Sequence, residues 1–495
     1  MKNSCAVVAL AVALTVFCPT IGSAQARGRR LLPGDVAAIT ARLQPIESLS
    51  ATNRLRLVIG LPFRNPQALT NLLEQLYDPA SPRFGRWLTP EQFNSEFGPT
   101  AEDYAKVVHF AETHGLSIIG THSNRVLLDV IAPVADIENA FQVKLRVYQH
   151  PTERRTFYAP DKAPSVESDV PILHVSGLND FILPHPLGLH FTGQATNLPP
   201  GVTPYNGSGP SGLYMGNDFR AAYAPGVTNT GAGQYIGIID VGGPYYSRDV
   251  YMYETNAGLD TNIVVTNIFC TLTSYWTNGL TSGTVNEGEE VLDIDMAMSM
   301  APGATILNYE GEAHDVFNRI ASDDLAKQMT LSYGFGIDAS IIQTFQEFLA
   351  QGQAMSQASG DGGADLDGGT GLTGNPYATI VGGTVLTMSG TGGAWQSDVT
   401  WSGSGGGISG YGIPDWQQGV ATAQNQGSGF YRNYPDVSMP AVNIFTVYEN
   451  GTIIGGTGGT SCASPLWAGF MALVNQQAAS AGKPAVGFIN PAIYR

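Results

Sequence analysis

Positive charge is scarce where the chain is most acidic. Residues 201–495 hold 7 Lys+Arg against 24 Asp+Glu, whereas residues 1–200 hold 17 of each, so the whole net charge of −17 belongs to the second part. A large acidic region with so few basic side chains has no electrostatic footprint for nucleic acid, which excludes a nucleic-acid partner. Histidine is nearly absent from the same region: seven of the eight precede residue 201, and only His314 follows. Imidazole-based catalysis there has one candidate. Cysteine is scarce as well. Of four, Cys5 and Cys18 lie in the N-terminal apolar run, and Cys270 and Cys462 remain, too few for a disulfide framework or a zinc site of the usual spacing. No later stretch reaches 18 consecutive apolar residues, so no membrane span is expected in the mature form. A composition 43% hydrophobic and 13% charged excludes a disordered chain.

Other features are present in abundance. Lys2, the apolar run 5–18 and Ala24-Gln25-Ala26 have the order of a secretory signal peptide, so residues 1–26 are expected to be removed and the protein exported. Glycine is plentiful at 60 residues, which points to tight turns and close backbone approaches.

Residues 27–190 read as one small α/β unit. Strands are expected at 55–63, 116–121, 126–132 and 144–150. Helices are expected at 66–78, after a Thr89 N-cap followed by Pro90 and Glu91, and at 101–114 and 134–142. This β-α-α-β-β-α-β order is a split βαβ arrangement. Residues 183–213, rich in Pro, Gly, Asn and Ser, read as an exposed linker. From 214 onward buried apolar strands alternate with helices: strands at 234–241, 262–268, 304–309, 329–333 and 377–388, helices at 289–300, 313–325, 340–355 and about 463–481. The expected architecture is α/β, a parallel sheet covered on both faces. Asn450-Gly451 between two apolar runs marks a hairpin.

Three segments carry chemistry. In GGTSCASP (458–465) Ser461 sits where a glycine-rich loop enters a helix, so backbone N–H groups there can face an oxyanion; a helix-capping serine is the plainer alternative. In GEEVLDIDMAMSMAPGA (288–304) Glu289 and Asp293 are i,i+4 on one helix face, and the rest of the helix is apolar enough to be buried. A solvated acidic helix start is the alternative, and it suits Glu287 and Glu290 better than Asp293. In SQASGDGGADLDGG (356–369) Asp361 lies between glycines with Asp365 and Asp367 nearby; a turn or a weak calcium loop is the alternative. A serine nucleophile needs a base. His314, in EAHDVF, lacks the His-Gly-Thr setting of subtilisin-type enzymes, so a carboxylate base is favoured, which implies acid conditions.

Glu289-x-x-x-Asp293, Ser-Gly-Asp361-x-Gly and Gly-Thr-Ser461-x-x-x-Pro, in that order, resemble the sedolisin family of serine-carboxyl peptidases, close to the kumamolisin type. LSYGFG (331–336) resembles the family's Ser-Trp-Gly strand end with Tyr333 in place of Trp. DPASPRFGRWLTPEQFNSEFGPTAED (78–103) resembles the family's pro-kumamolisin-type activation domain. The resemblance spans roughly residues 40–495. It implies a subtilisin-like peptidase domain at 214–495, preceded by an inhibitory and chaperone propeptide at 27–187 and a linker at 188–213 that holds the activation cleavage. The implied product is a secreted, acid-active endopeptidase made as a zymogen, with peptide or protein substrates and an intramolecular propeptide inhibitor. Ser461 would be the nucleophile, Glu289 the general base, Asp293 its partner through a shared proton, and Asp361 an oxyanion donor beside the Ser461 N–H. Asp361 donates only when protonated. An unperturbed Asp of pKa ~3.9 is protonated to about one part in 10³ at pH 7, so activity is expected to fall towards neutrality. Calcium is expected from the resemblance, with ligands beyond Asn490-Pro491 and past Arg495, so the domain is expected to be C-terminally incomplete and no metal residue is assigned. The competing readings are an inactive secreted binding protein on the same fold, a histidine-based protease, and a calcium-dependent adhesin using Asp365 and Asp367. The seven early histidines suggest that the propeptide senses acidification, although net charge alone leaves the sign of that effect open.

Overall fold

The computed structural model describes residues 28–32, 38–187, 190–191, 206–260, 262–271, 287–365, 372–422 and 424–495. The signal-peptide reading, most of the linker and Asp367 lie outside them.

The C-terminal unit is built on an eight-stranded sheet. In spatial order its main path runs Val265–Phe269, Thr305–Glu310, Tyr235–Asp240, Gln328–Leu331, Ala354–Ala358, Thr379–Met388 and Trp395–Thr400, with Val437–Pro440 also paired to Thr379–Met388. All pairings are parallel except that of Trp395–Thr400. Strand side chains alternate between faces. From Tyr235–Asp240, Ile236 and Ile238 enter one core with the helices Glu287–Met300 and Thr460–Ser480. Ile239 enters the opposite core with Ala313–Asp323 and Ala339–Gln351. Helices on both faces of a mostly parallel sheet match the expected architecture, and ligand chemistry in such sheets gathers at the carboxyl ends of the strands.

Several elements differ from expectation. The helix expected at 340–355 ends at Gln351, where Gly352 takes φ 68°, and Ala354–Ala358 is a separate central strand. The helix expected from 463 starts at Thr460. Helices Asn217–Tyr223 and Ser247–Ala257 were not foreseen. The hairpin at Asn450-Gly451 joins Ile444–Tyr448 to Ile453–Gly458.

The N-terminal unit has a four-stranded antiparallel sheet in the order Ser117–Thr121, Leu127–Pro133, Arg54–Gly60, His174–Ser176. The fourth place was expected for the strand near 144–150. That strand, Leu145–Gln149, instead pairs with Glu47–Ser48 and Thr156–Pro160 in its own sheet. One face of the four-stranded sheet packs on helices Ala101–Thr113 and Val134–Phe141. The other carries Val58 and Leu127 into a cluster with Leu72, Leu76 and Phe93 that also takes in Ala350 of the C-terminal unit. The two units therefore share a hydrophobic contact. Trp87 Nε1 donates to the Ala485 carbonyl (2.8 Å), Tyr77 Oη to the Leu349 carbonyl (2.9 Å), and Gln343 bridges the Phe63 N–H and the Leu61 carbonyl.

Candidate active site

The strand Ile453–Gly458 passes through Gly459 into the helix Thr460–Ser480. Gly459 has φ 145°, a conformation that side chains rarely adopt, and this turn sets Ser461 in the first helical turn. Pro465, four residues on, has no N–H to offer the Ser461 carbonyl. Ser464 ties the helix down through its hydroxyl to Thr330 Oγ1 (2.8 Å).

Glu289 and Asp293 come from the neighbouring helix Glu287–Met300. Glu289 and Asp293 are each 1% exposed, and Ser461 is fully buried. Ser461 Oγ and both Glu289 carboxyl oxygens have no completed hydrogen bond, yet the hydroxyl stands close enough to Glu289 to offset part of the cost of burial. Burial above all, with the charge of Asp361, pushes Glu289 up to about 8. Burial and the charge of Glu289 hold Asp293 well above the usual carboxylate range, against a hydrogen bond from Ser332 Oγ to Asp293 Oδ1 (2.7 Å). Asp361 follows the strand Ala354–Ala358. Its Oδ1 accepts from the Thr460 N–H (2.8 Å) and Thr460 Oγ1 (2.9 Å), while Thr460 Oγ1 accepts from the Gly360 N–H (3.0 Å). Asp361 is thus fixed to the residue before Ser461. The four predicted residues, from three segments far apart in sequence, meet at one end of the sheet.

Sequence reasoning missed the groups behind them. Asp240 ends the strand Tyr235–Asp240, and its Oδ1 accepts from the N–H groups of Gly242 (2.9 Å) and Gly243 (3.1 Å). Those bonds moderate a rise, driven by burial, to about 7. Glu290 is fully buried, not solvated, and burial with the charges of Asp240, Asp293 and Glu310 drives it far up. The readable signal was a lone acid closing an apolar strand: in a parallel sheet that position is the site end. Ser332, quoted only as part of LSYGFG, turns out to hold Asp293. His314 is no rival to Glu289. Its ring faces Glu312 (2.8 Å), Asp338 (2.7 Å) and Ser176 (2.9 Å) at the contact between units. Cys270 and Cys462 are free thiols.

Two short pieces of the chain lie beside this centre. His185–Pro186 pairs antiparallel with Tyr333–Gly334, and the Leu187 N–H donates to the Ser332 carbonyl (2.9 Å). His190–Phe191 pairs antiparallel with Thr457 and Gly458, just before Gly459. Residues 185–187 thus lie against the strand end beside Asp293, and residues 190–191 against the strand that leads into Ser461. Part of what read as an exposed linker is held as strand.

Calcium takes six to eight oxygen ligands. Among the described residues the one acidic or histidine group with ligand spacing is His122, Asp129 and Asp315, whose imidazole does not suit calcium.

A serine set among buried carboxyls at the ends of parallel strands, with a second unit packed on the same sheet's helices, defines the class: a serine-carboxyl peptidase fold. Residues 41–181 match the model of the Pro-kumamolisin activation domain. The chain is 30% identical to kumamolisin of Bacillus sp. (strain MN-32), over 82% of this chain and 77% of that protein. It is 28% identical to sedolisin of Pseudomonas sp. (strain 101), over 98% of this chain and 88% of that one, and 27% identical to xanthomonalisin of Xanthomonas sp. (strain T-22), over 92% of this chain but 60% of that one. Superposed on the solved Pseudomonas sedolisin complexed with two molecules of pseudo-iodotyrostatin, it covers 59% of this chain and 85% of that one at 25% identity and a TM-score of 0.48. The chain belongs to the sedolisin family. No helix among the described residues is long and apolar enough to cross a membrane.

Proposed function

We propose that this chain is an exported, acid-active endopeptidase made as a zymogen. Residues 27–187 act as its intramolecular inhibitor and chaperone, and activation cleavage falls within 188–213. Ser461 Oγ attacks the scissile carbonyl carbon and passes its proton to Glu289, which delivers it to the leaving amine. Asp293 holds Glu289 through one proton shared by the two carboxyls, because two buried neighbouring carboxylates cannot both ionise cheaply. Asp361, protonated, and the Ser461 N–H then donate to the tetrahedral oxyanion. Water repeats the attack on the acyl-enzyme and frees Ser461. Working in acid keeps Asp361 protonated and leaves the shared proton in place.

The observation that carries this reading is the convergence of Glu289, Asp361 and Ser461, with Asp361 tied to Thr460. The pairing of residues 185–187 at Ser332–Gly334 and of residues 190–191 at Thr457–Gly458 supports the zymogen half of it, since chain held at both strand ends stands where a substrate would need to enter. The test is incubation of the purified chain at about pH 4. N-terminal sequencing should place the first new terminus between residues 188 and 213, and a denatured protein should then be digested. Ser461→Ala should do neither, and equal processing by that variant overturns the mechanism.

A further inference from the structure

A polar cavity of about 520 Å³ lies between the two units, away from Ser461. Arg56, His122 and Asp129 reach it from the N-terminal unit, Asp315, Asn318 and Thr271 from the peptidase side. Asp129 and Asp315 divide their oxygens between Arg56 and His122, and Thr271 Oγ1 also donates to Asp315 Oδ2 (2.5 Å). Arg56 Nη2 takes Asp129 Oδ1 (2.8 Å) and Asp315 Oδ2 (2.7 Å). The other two oxygens turn to His122, whose Nε2 is 2.8 Å from Asp129 Oδ2 and 4.0 Å from Asp315 Oδ1. These three ligand atoms lie within 4.8 Å of one another. Asp315 is 3% exposed, and its Oδ1 makes no hydrogen bond. A buried carboxylate oxygen without a donor is costly. Arg56 also faces Glu312 at 3.4 Å, a carboxylate that His314 shares at 2.8 Å.

The protonation of His122 shows what is missing. Its Nδ1 accepts from Asn318 Nδ2 (2.8 Å), so the neutral ring carries its proton on Nε2, aimed between the two carboxylates. That proton stands where a larger cation would satisfy Asp315 Oδ1 as well. We infer that His122, Asp129 and Asp315 form a binding site for a divalent transition cation of the zinc class, bridging the N-terminal unit to the peptidase unit. One imidazole nitrogen with two carboxylate oxygens suits such an ion, and cavity water fills the fourth position. Metal–ligand distances of about 2.0–2.2 Å require the carboxylates to close by roughly 1 Å. Arg56 keeps the outer oxygens. On binding, the ring proton moves from Nε2 to Nδ1, and the Asn318 amide, 2.6 Å from Asn124, turns with its neighbour to present an oxygen to it.

The test uses the full chain carrying Ser461→Ala, freed of metal with a chelator and titrated with zinc chloride at neutral pH by calorimetry. Cobalt(II) is titrated in parallel, because its visible absorption reports four-coordinate nitrogen and oxygen ligation. One equivalent of each should bind. His122→Gln and Asp315→Asn should each lower affinity by more than the roughly 10–100-fold that removing an outer partner costs, and Asn318→Ala, which leaves all three ligands, by that roughly 10–100-fold. Absence of binding by the intact site, or an unchanged affinity in His122→Gln, overturns the proposal. If His122→Gln does not fold, an unchanged affinity in Asn318→Ala does so. None of these readouts depends on peptidase activity, so the site stands or falls separately from the proposed function.

Discussion

As the proposed nucleophile Ser461 would act only through the groups that converge on it, and substitutions at two of them separate their proposed roles. Glu289→Gln keeps the shape of the base and removes its proton affinity. General base catalysis contributes roughly 10²–10⁴-fold, so self-cleavage of the full chain at pH 4 should slow by that factor while the fold, checked by circular dichroism, is kept. At Asp361 the informative contrast is Ala against Asn. Ala removes both the oxyanion donor and the anchor to Thr460, and loss of one such donor costs roughly 10²–10³-fold. Asn keeps an oxygen for Thr460 and offers an N–H that does not titrate. Asp361→Asn should therefore lose its steep fall in rate between pH 4 and 7, and a profile as steep as that of the unmodified chain would remove Asp361 from the oxyanion role. That these four residues would come together was legible because each sits in a local motif whose order along the chain is informative. Ser332 and Asp240 were not. Their positions beside Asp293 arise from adjacent strands ending at the same edge, a relation that no spacing in the chain records.

The boundary at Gly352 shows how one misread element hides another. The apolar rhythm of the helix Ala339–Gln351 continues into Ala354 and Met355, so periodicity alone carries the helix through. Gly352, in the left-handed region with φ 68°, ends it and lets Ala354–Ala358 enter the sheet centre between Gln328–Leu331 and Thr379–Met388. That strand is what delivers Asp361. The fourth strand of the N-terminal sheet was missed for a different reason: His174–Ser176 has three residues, too few for any alternation. Gly352 also carries the contact between units, since a Cβ there would lie 2.5 Å from the Trp87 ring. Gly352→Ala meets both the left-handed penalty of about 1–2 kcal/mol and this clash. It should lower the unfolding midpoint and let acid processing start at higher pH. Trp87→Ala introduces no clash but empties the contact and its bond to Ala485, a loss of the order of 3–5 kcal/mol for a large aromatic. It should likewise raise the onset pH of self-cleavage while leaving the rate of the mature enzyme unchanged.

The acidic imbalance of the second part acquires a sign once the carboxyls are located. Glu289 is pushed up to about 8, Asp240 to about 7 and Glu347 to about 8, each chiefly by burial. A carboxyl with a raised folded pKa binds its proton more tightly when folded. Its contribution is therefore complete below the unfolded value and is lost as pH rises through the folded one, here between about 4.5 and 8. The uncleaved Ser461→Ala chain should melt at least ~4 °C higher at pH 5 than at pH 8, the shift that about 1–2 kcal/mol makes in a domain of this size. An equal or lower midpoint at pH 5 would contradict the raised values. The contact between units has the opposite sign. Asp338 takes His314 at 2.7 Å and His174 at 3.3 Å. Despite burial, the charges of His314 and His174 hold it well below the usual carboxylate range. Its contribution is present above the unfolded pKa near 3.8 and is lost only as pH falls through the depressed folded value. Histidines paired in this way tighten the contact as they charge, so under the proposed zymogen reading acid would open this contact through the carboxylate and not through histidine charging alone. Asp338→Asn removes one partner of a buried pair, a loss of about 3–5 kcal/mol. At pH 6 it should speed hydrogen exchange in the helix Ala339–Gln351, which the N-terminal unit covers, and the difference from the parent chain should shrink as pH drops below 4. A difference that persists undiminished at pH 2 would locate the acid trigger elsewhere.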